Sequence, residues 1–359
     1  MKLKLRENYK YSLVVPTSMG VRITPVNGQP VHSSNMYQMH ATSAETNVAS
    51  ISSSLGLPVK ALTNFVKDSP IAAFIKSDLK ARHIDYEGPE VAQGGPWGYR
   101  HQFNVADSGS GLRGPRVQND RAGEVGRILN VKDFDLERIF KDEGVQIVHI
   151  SGLIAALSPD SSNFCLEIAR YAKQQGTLIS FDLNHRATFW EGREEELHQA
   201  FTEIASLSDI LIGNEEDYQL CLGIEGPKAG GENIEETINS FKQMILNVKE
   251  SFPNVSVFAN TLREVISTNE HLWGAIVYEG NNWHYAPLRT IQVVDRIGGG
   301  DGFVGGLLYS ILTQKPAEQW VQFAWATGAL ATTFLSDYAL PADEEMVWSI
   351  WEGNARVRR

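Results

Sequence analysis

The sequence predicts an α/β fold, a mostly parallel sheet with helices on both faces. Two observations lead there: between Val145 and Asn260 short strand-like runs alternate with amphipathic segments, and the runs are continuously apolar. Continuous apolar strands belong to sheets buried on both sides, and helices of roughly ten to fifteen residues between them supply parallel crossovers. Composition agrees: 42% of the 359 residues are hydrophobic and 21% charged, near the globular average. Length alone suggests two domains, though α/β chains of this size often form one large domain with an insert.

Taken in order, VQIVHISGL (Val145 to Leu153) reads as a buried strand. Ser161 to Gln175 reads as a helix with apolar positions at Phe164, Ile168 and Tyr171. TLISFDLN is the next strand, Glu194 to Ser206 a helix with a favourable acidic first turn, and DILIGN a strand. A helix over Glu235 to Val248 precedes the strand VSVFAN, and Trp273 to Tyr285 reads as a hairpin turning at Glu279-Gly280-Asn281-Asn282. Gly88 to Arg127 is rich in glycine and arginine and has no helical period, so it reads as a surface loop, and one of that length is either functional or disordered. With the strand-like pieces near Val14 to Tyr37 it is expected to build a small β-lid, from about 12–40 and 88–127, within a single domain over 1–359.

Charge and cysteines exclude several functions. A net charge of −11 works against a general grip on nucleic acid or an anionic membrane. The apolar stretch at Phe303 to Leu312 is broken by glycines and falls far short of the roughly 18 residues of a membrane span. Cys165 and Cys221 lie in no metal-binding spacing, and the N-terminus has no apolar run of signal-peptide length. A cytoplasmic protein is expected.

The chemistry concentrates in TIQVVDRIGGGDGFVGGLLYSILTQ (Thr290 to Gln314). A strand-like run, Ile291 to Val294, leads into three glycines, an aspartate and an apolar helical pattern. Glycines at such a turn let the backbone approach a ligand, and the helix N-terminus favours negative charge. Asp301 in the first helical turn can act as a general base. An ordinary glycine turn with a dipole-compensating acid is the plain alternative. Gly300, Gly302 and Gly305 formally satisfy G-x-G-x-x-G, but that fingerprint should open a domain of several further βαβ units, and few residues remain. A Walker-type loop needs a lysine that does not follow here. Phosphate binding with an aspartate base survives.

VVDRIGGGDGFVGGLLY resembles the C-terminal signature of ribokinase-like (PfkB) sugar kinases, and within them the 2-keto-3-deoxygluconate kinases. FDLNHRATFW (Phe181 to Trp190), IGNEEDYQLCLGI (Ile212 to Ile224) and NTLREVIST (Asn260 to Thr268) support it in the expected order, and the similarity runs from about Val21 to Leu335. The resemblance implies a Rossmann-like sheet with a small β-lid, and ATP-dependent phosphoryl transfer to a sugar hydroxyl with Mg²⁺ and K⁺ as candidate cofactors. It implies Asp301 as catalytic base, with Gly298, Gly299 and Gly300 forming an anion hole. Asn214 and Asp217 fall on the family's Asn-x-x-Glu motif, Asp217 reaching Mg²⁺ through water. Thr261 and Arg263 match a strand-end pair near the nucleotide phosphates, and Asp295 a monovalent-cation loop. A homo-oligomer acting on a small sugar acid follows, with neither nucleic acid nor membrane as partner.

The departures cluster on the sugar side. The family's Gly-Gly-x-Glu-x-Asn appears as Thr42-Ser43-Ala44-Glu45-Thr46-Asn47, which keeps Asn47 as a substrate ligand, and its Gly-Glu as Thr17-Ser18, although VRITP still fits. Arg100 stands where the subgroup has a substrate-facing tyrosine, and Asn119-Asp120-Arg121 replaces Tyr-x-Arg. Arg100, Arg121 and Arg186 are expected to converge on an acceptor carboxylate, because buried cations without a counter-anion are disfavoured. A neutral-sugar kinase of fructokinase or ribokinase type, or a non-catalytic sugar sensor, is the alternative. Elsewhere His149 reads as a hydrogen-bonded structural histidine, His185 as a lining residue of the acceptor pocket, Glu215 and Glu216 as a solvated helix start, and the eight tryptophans mostly as core or lid packing.

Overall fold

The computed structural model describes residues 3–226 and 234–356, which form two compact units. One comprises Met1–Pro16, Arg127–Asn260 and Val277–Trp283; the other comprises Thr17–Gly126, Thr261–Ile276 and His284–Arg359.

The first unit holds parallel strands laid side by side: residues 257–260 of the strand Val257–Ser267, then Ile210–Ile212, Leu178–Asp182, Val145–Ser151 and Tyr11–Pro16. Ile210 pairs with Val257, Ser180 with Ile210, Ile147 with Leu178, and Tyr11 with Val145. Val145–Ser151 is buried at every residue, as a strand covered on both faces must be. The helix Pro159–Gln174 starts with a Ser158–Ser161 capping box and a proline in its first turn, two devices that satisfy or remove orphan N–H groups. It buries Phe164, Ile168 and Ala172, four residues apart on one face. Glu194–Leu207 buries Leu197, Phe201 and Ile204 behind three acidic residues in its first turn. The Phe201 ring meets Phe181 at 5.2 Å and Trp190 at 4.9 Å, edge to face. The next helix is Ile234–Ser251. Gly280 and Asn281 both take positive φ between the strands Glu270–Glu279 and Asn282–Gln292, the turn a two-residue hairpin demands.

The second unit carries a parallel pair, Val59–Leu62 with Ile84–Glu87, and a separate four-stranded sheet. That sheet runs Tyr37–Thr42, Gly20–Pro25, Gln102–Asp107, Arg116–Asp120; its central pair is parallel, Gly20 facing Gln102, and its outer pairs are antiparallel. The Gly88–Arg127 segment therefore contains strands, Glu90–Val91 among them. Residues 12–16, expected in the small sheet, run instead in the Tyr11–Pro16 strand of the first unit. The helices Gly299–Leu312 and Ala317–Ala331 press together where Gly302 and Gly306 face Thr327. A Cβ on Gly306 would lie 2.0 Å from the Thr327 hydroxyl, so part of the glycine run serves helix packing. Trp273 and Trp325 exchange indole–carbonyl hydrogen bonds in the core, whereas Trp97 is 97% exposed. Among the described residues no helix is long and apolar enough to cross a membrane.

Candidate active site

The strand before the glycines ends at Gln292, two residues earlier than expected, because the next amides turn to other partners. Val293 donates to the Asn269 carbonyl, and Val294 and Asp295 both donate to Thr332. Gly298 then caps the Gly299–Leu312 helix at φ 85°, and a Cβ there would lie 2.0 Å from the Asp337 carbonyl oxygen. Only glycine meets both conditions. No side chain caps this helix: the Gly299 amide turns to the Arg296 carbonyl, and a helix start left without a side-chain cap favours negative charge. Above Gly300 there is open space: a Cβ would find nothing within 4 Å. Asp301 is the third helical residue, and Asn47 Nδ2 donates to its Oδ2 at 2.9 Å. Asn47, itself buried, comes from the helix Ala44–Ser54, whose start is fixed by the Ser43 cap on the Thr46 amide. Asn47 and Asp301 thus meet from 254 positions apart.

Behind this pair lies a buried ionic cluster. Arg22, 1% exposed in the Gly20–Pro25 strand, ion-pairs with both Asp295 and Asp337. Asp295 Oδ2 also accepts from the Ser108 hydroxyl at 2.6 Å, and its Oδ1 accepts from the Ile297 amide at 3.0 Å. Thr42 donates to Asp337 Oδ2 at 2.6 Å, and Asn47 Nδ2 lies 3.4 Å from the same Thr42 hydroxyl. These donors do not fit the monovalent-cation role expected of Asp295: its two oxygens already face a guanidinium, a hydroxyl and an amide. Sequence reading missed Arg22, Ser108 and Asp337. The alternation in VRITP places Arg22 opposite its apolar neighbours, with no hint that this face too is covered.

Thr261 and Arg263, expected at a strand end, lie inside the strand Val257–Ser267. The Arg263 side chain reaches the surface, yet the protein flanking it, and then the Arg296 cation, hold its guanidinium below the usual value. His271 is buried nearby, and burial followed by Arg263 and Arg296 lowers its imidazole pKa. Cations crowded beside the glycine turn are what a polyphosphate would relieve.

Two of the three arginines expected to meet an acceptor carboxylate already have one from the protein. Arg121 Nη1 donates to both oxygens of Glu124 at 2.9 Å, and Ser18 donates to Glu124 at 2.6 Å. Arg100 pairs with Asp120, holds the Ala122 carbonyl and lies over the Phe103 ring. The inference from uncompensated cations therefore fails for both. Thr17 donates to Glu45 at 2.6 Å, so each residue of the altered Thr17-Ser18 pair serves a buried carboxylate.

The first unit holds the remaining candidates. Asn214 and Asp217 form the capping box of the helix Glu215–Leu222, Asp217 Oδ2 accepting from the Asn214 amide at 2.9 Å. Asp217 Oδ1 accepts from the His185 amide at 3.1 Å, which ties this helix start to the segment bearing Arg186. Burial raises the Asp217 pKa against those two hydrogen bonds. Glu215 is not solvated as expected: it is buried, its pKa is raised by burial, and its Oε1 has no hydrogen-bond partner. Arg186 is exposed and donates to the His185 carbonyl. His185 lines a cavity of about 410 Å³ with Trp190, Glu191, Glu194, His198 and Leu220. His149 is a structural histidine, hydrogen-bonded to Ser180 at 3.0 Å. Among the described residues no three His, Cys, Asp or Glu side chains form a metal cage. The oxygen donors Asn214 and Asp217, beside the orphaned Glu215 oxygen, suit a hard cation that keeps its own waters.

A carboxylate held in the first turn of a helix that opens on glycines suits an enzyme that moves a phosphoryl group onto a hydroxyl, and comparison with known proteins narrows that class. The pfkB family carbohydrate kinase profile matches residues 129–342, more than half of the chain. The chain belongs to this family and is a sugar kinase. It is 23% identical over 343 residues to a 2-dehydro-3-deoxygalactonokinase of Haloferax volcanii, covering 94% of this chain and 96% of that one. A 5-dehydro-2-deoxygluconokinase of Clostridium perfringens is 21% identical, with 91% and 89% covered. The crystal structure of a Thermotoga maritima 2-dehydro-3-deoxygluconokinase superposes with a TM-score of 0.85 at 25% identity, over 97% of this chain and all of the other. An Escherichia coli protein assigned as ribokinase II, solved with ATP and Mg²⁺, shares the fold at a TM-score of 0.73 and 18% identity, over 96% and 100% of the two chains.

Proposed function

We propose that the chain transfers the γ-phosphoryl group of ATP to a hydroxyl of 2-keto-3-deoxygluconate or a close acidic sugar. The observation that carries the reaction is the Asn47–Asp301 hydrogen bond at the open glycine turn. Asn47 fixes the rotamer in which the Asp301 carboxylate can take the proton of the acceptor hydroxyl. As the oxygen attacks phosphorus and the bond to ADP breaks, the first N–H groups of the Gly299–Leu312 helix stabilise the charge on the transferring group. Arg263 and Arg296 receive the nucleotide phosphates, with Thr261 beside them. Asn214 and Asp217 would hold Mg²⁺ through its waters, and the ion when bound neutralises charge on the phosphates. The four-stranded sheet serves as a lid that closes over the acceptor and keeps water from the phosphoryl group.

An acidic acceptor is supported by the relatives, three of which are named for keto-deoxy sugar acids or the galacto epimer, and by Arg186, an exposed cation whose hydrogen bond among the described residues goes to a backbone carbonyl. The carboxylate partners of Arg100 and Arg121 favour the second reading, a neutral sugar. A screen of sugar acids and neutral sugars with coupled ADP detection decides. Turnover on fructose or ribose equal to that on any sugar acid would replace the acidic reading with the neutral one.

A further inference from the structure

We infer that the Arg22 guanidinium serves in place of a bound monovalent cation, locking Asp295 and Asp337 so that Thr42 and Asn47 hold Asp301 in its working position. The inference rests on the sugar kinase reading with Asp301 as base.

The argument begins with burial. Arg22, Asp295 and Asp337 are 1%, 0% and 5% exposed, and a cation so placed is retained only where carboxylates surround it. The two aspartates come from segments that meet at the glycine turn. Asp295 precedes the turn and holds the Ile297 amide, while the Asp337 carbonyl occupies the space where a Gly298 side chain would be. Bridging them fixes the turn from both sides. A potassium ion would do so by gathering carboxylate and carbonyl oxygens; here the two arms of one guanidinium do it, each directed at a different aspartate.

The cluster then reaches the base through hydroxyl and amide. Asp337 Oδ2 orients Thr42, whose hydroxyl is 3.4 Å from Asn47 Nδ2, and that amide donates to Asp301 at 2.9 Å. Arg22 touches neither sugar nor nucleotide in this scheme. It is a positioning residue.

The test compares wild type, Arg22→Ala and Thr42→Val, first in tetramethylammonium buffer without alkali cations and then with about 20 mM KCl or guanidinium chloride, concentrations at which a weak site fills by mass action. Wild-type kcat should change less than about twofold between these media, since its cation is built in. Arg22→Ala should lose about 100-fold or more in kcat and regain about tenfold with guanidinium, as a deleted side chain is replaced by its own head group. Thr42→Val removes the relay without burying a bare charge; its kcat should fall about tenfold with the KM for ATP within twofold, the pattern of a misplaced catalytic group. A wild type that needs K⁺ for turnover overturns the inference, as does an Arg22→Ala protein that works normally or, once folded, ignores guanidinium. If Arg22→Ala does not fold, an unchanged kcat in Thr42→Val overturns it. Wild type that phosphorylates no sugar would sink the kinase reading instead. In that event melting decides: guanidinium should raise the Tm of Arg22→Ala relative to wild type, and no relative rise overturns the built-in cation.

Discussion

Asp301 and Arg186 make opposite demands on a kinetic experiment. Asp301→Asn keeps the shape and the Asn47 contact but cannot accept a proton, so kcat should fall about 10²- to 10⁴-fold. Nucleotide affinity by calorimetry should hold, and near-normal kcat would remove Asp301 from the base role. Arg186→Ala should leave the chemistry intact but lower kcat/KM for a sugar acid about 10- to 100-fold, the worth of one or two charged hydrogen bonds. Lysine there should recover only part, having charge without the planar fork. A neutral analogue should lose much less; an equal loss for both acceptors would show that Arg186 does not read the carboxylate. Arg121 belongs to a different category: Glu124 takes it at both oxygens, so its removal should appear as instability rather than as altered sugar preference.

The glycine turn separates two jobs that look identical in sequence. Gly298 has a left-handed φ and abuts the Asp337 carbonyl, so Gly298→Ala should destabilise the fold by more than about 1–3 kcal/mol, backbone strain alone accounting for that range. Gly300 has helical neighbours and open space, so Gly300→Ala should melt at or above the wild-type temperature while its kcat/KM collapses, because the methyl occupies the ground of the transferring phosphoryl. Urea unfolding of both variants beside their kinetics checks the contrast; unimpaired turnover in Gly300→Ala would move the anion elsewhere. The helix that follows was legible because its start is written locally, in glycines, an acid in the first turn and an apolar run. The end of the strand before it was not, since Val293 to Asp295 turn away to carbonyls of Asn269 and Thr332 that no local pattern announces.

Lid closure and folding stability belong to the chain at large. Amide exchange in Gln102–Asp107 and Arg116–Asp120 should slow when sugar and a non-hydrolysable nucleotide bind together, and unchanged exchange would count against closure. Burial pushes the His149 imidazole down to about 3, against 6.5 in the unfolded chain. Between those values the unfolded chain binds a proton that the native one refuses. Stability therefore falls as pH drops from about 6.5 toward about 3, by up to about 1.4 kcal/mol per pH unit from this residue. His40 and His101, also lowered by burial, add in the same direction. His149→Gln should flatten that slope in urea titrations; an unaltered slope would mean the imidazole is not held neutral. The amino-acid order by itself determined the parallel βαβ core, the hairpin at Gly280-Asn281, and the helix that presents Asp301. Each of these rests on hydrophobic period or turn chemistry within a few residues. Only the tertiary structure decided which charges cancel. Arg100 is neutralised by Asp120 and Arg22 meets Asp337 across 315 positions of chain, whereas Arg121 finds Glu124 only three residues on. A charged side chain in a sequence carries no mark of whether water or a buried carboxylate will face it, because that is settled by the packing of elements distant in the chain.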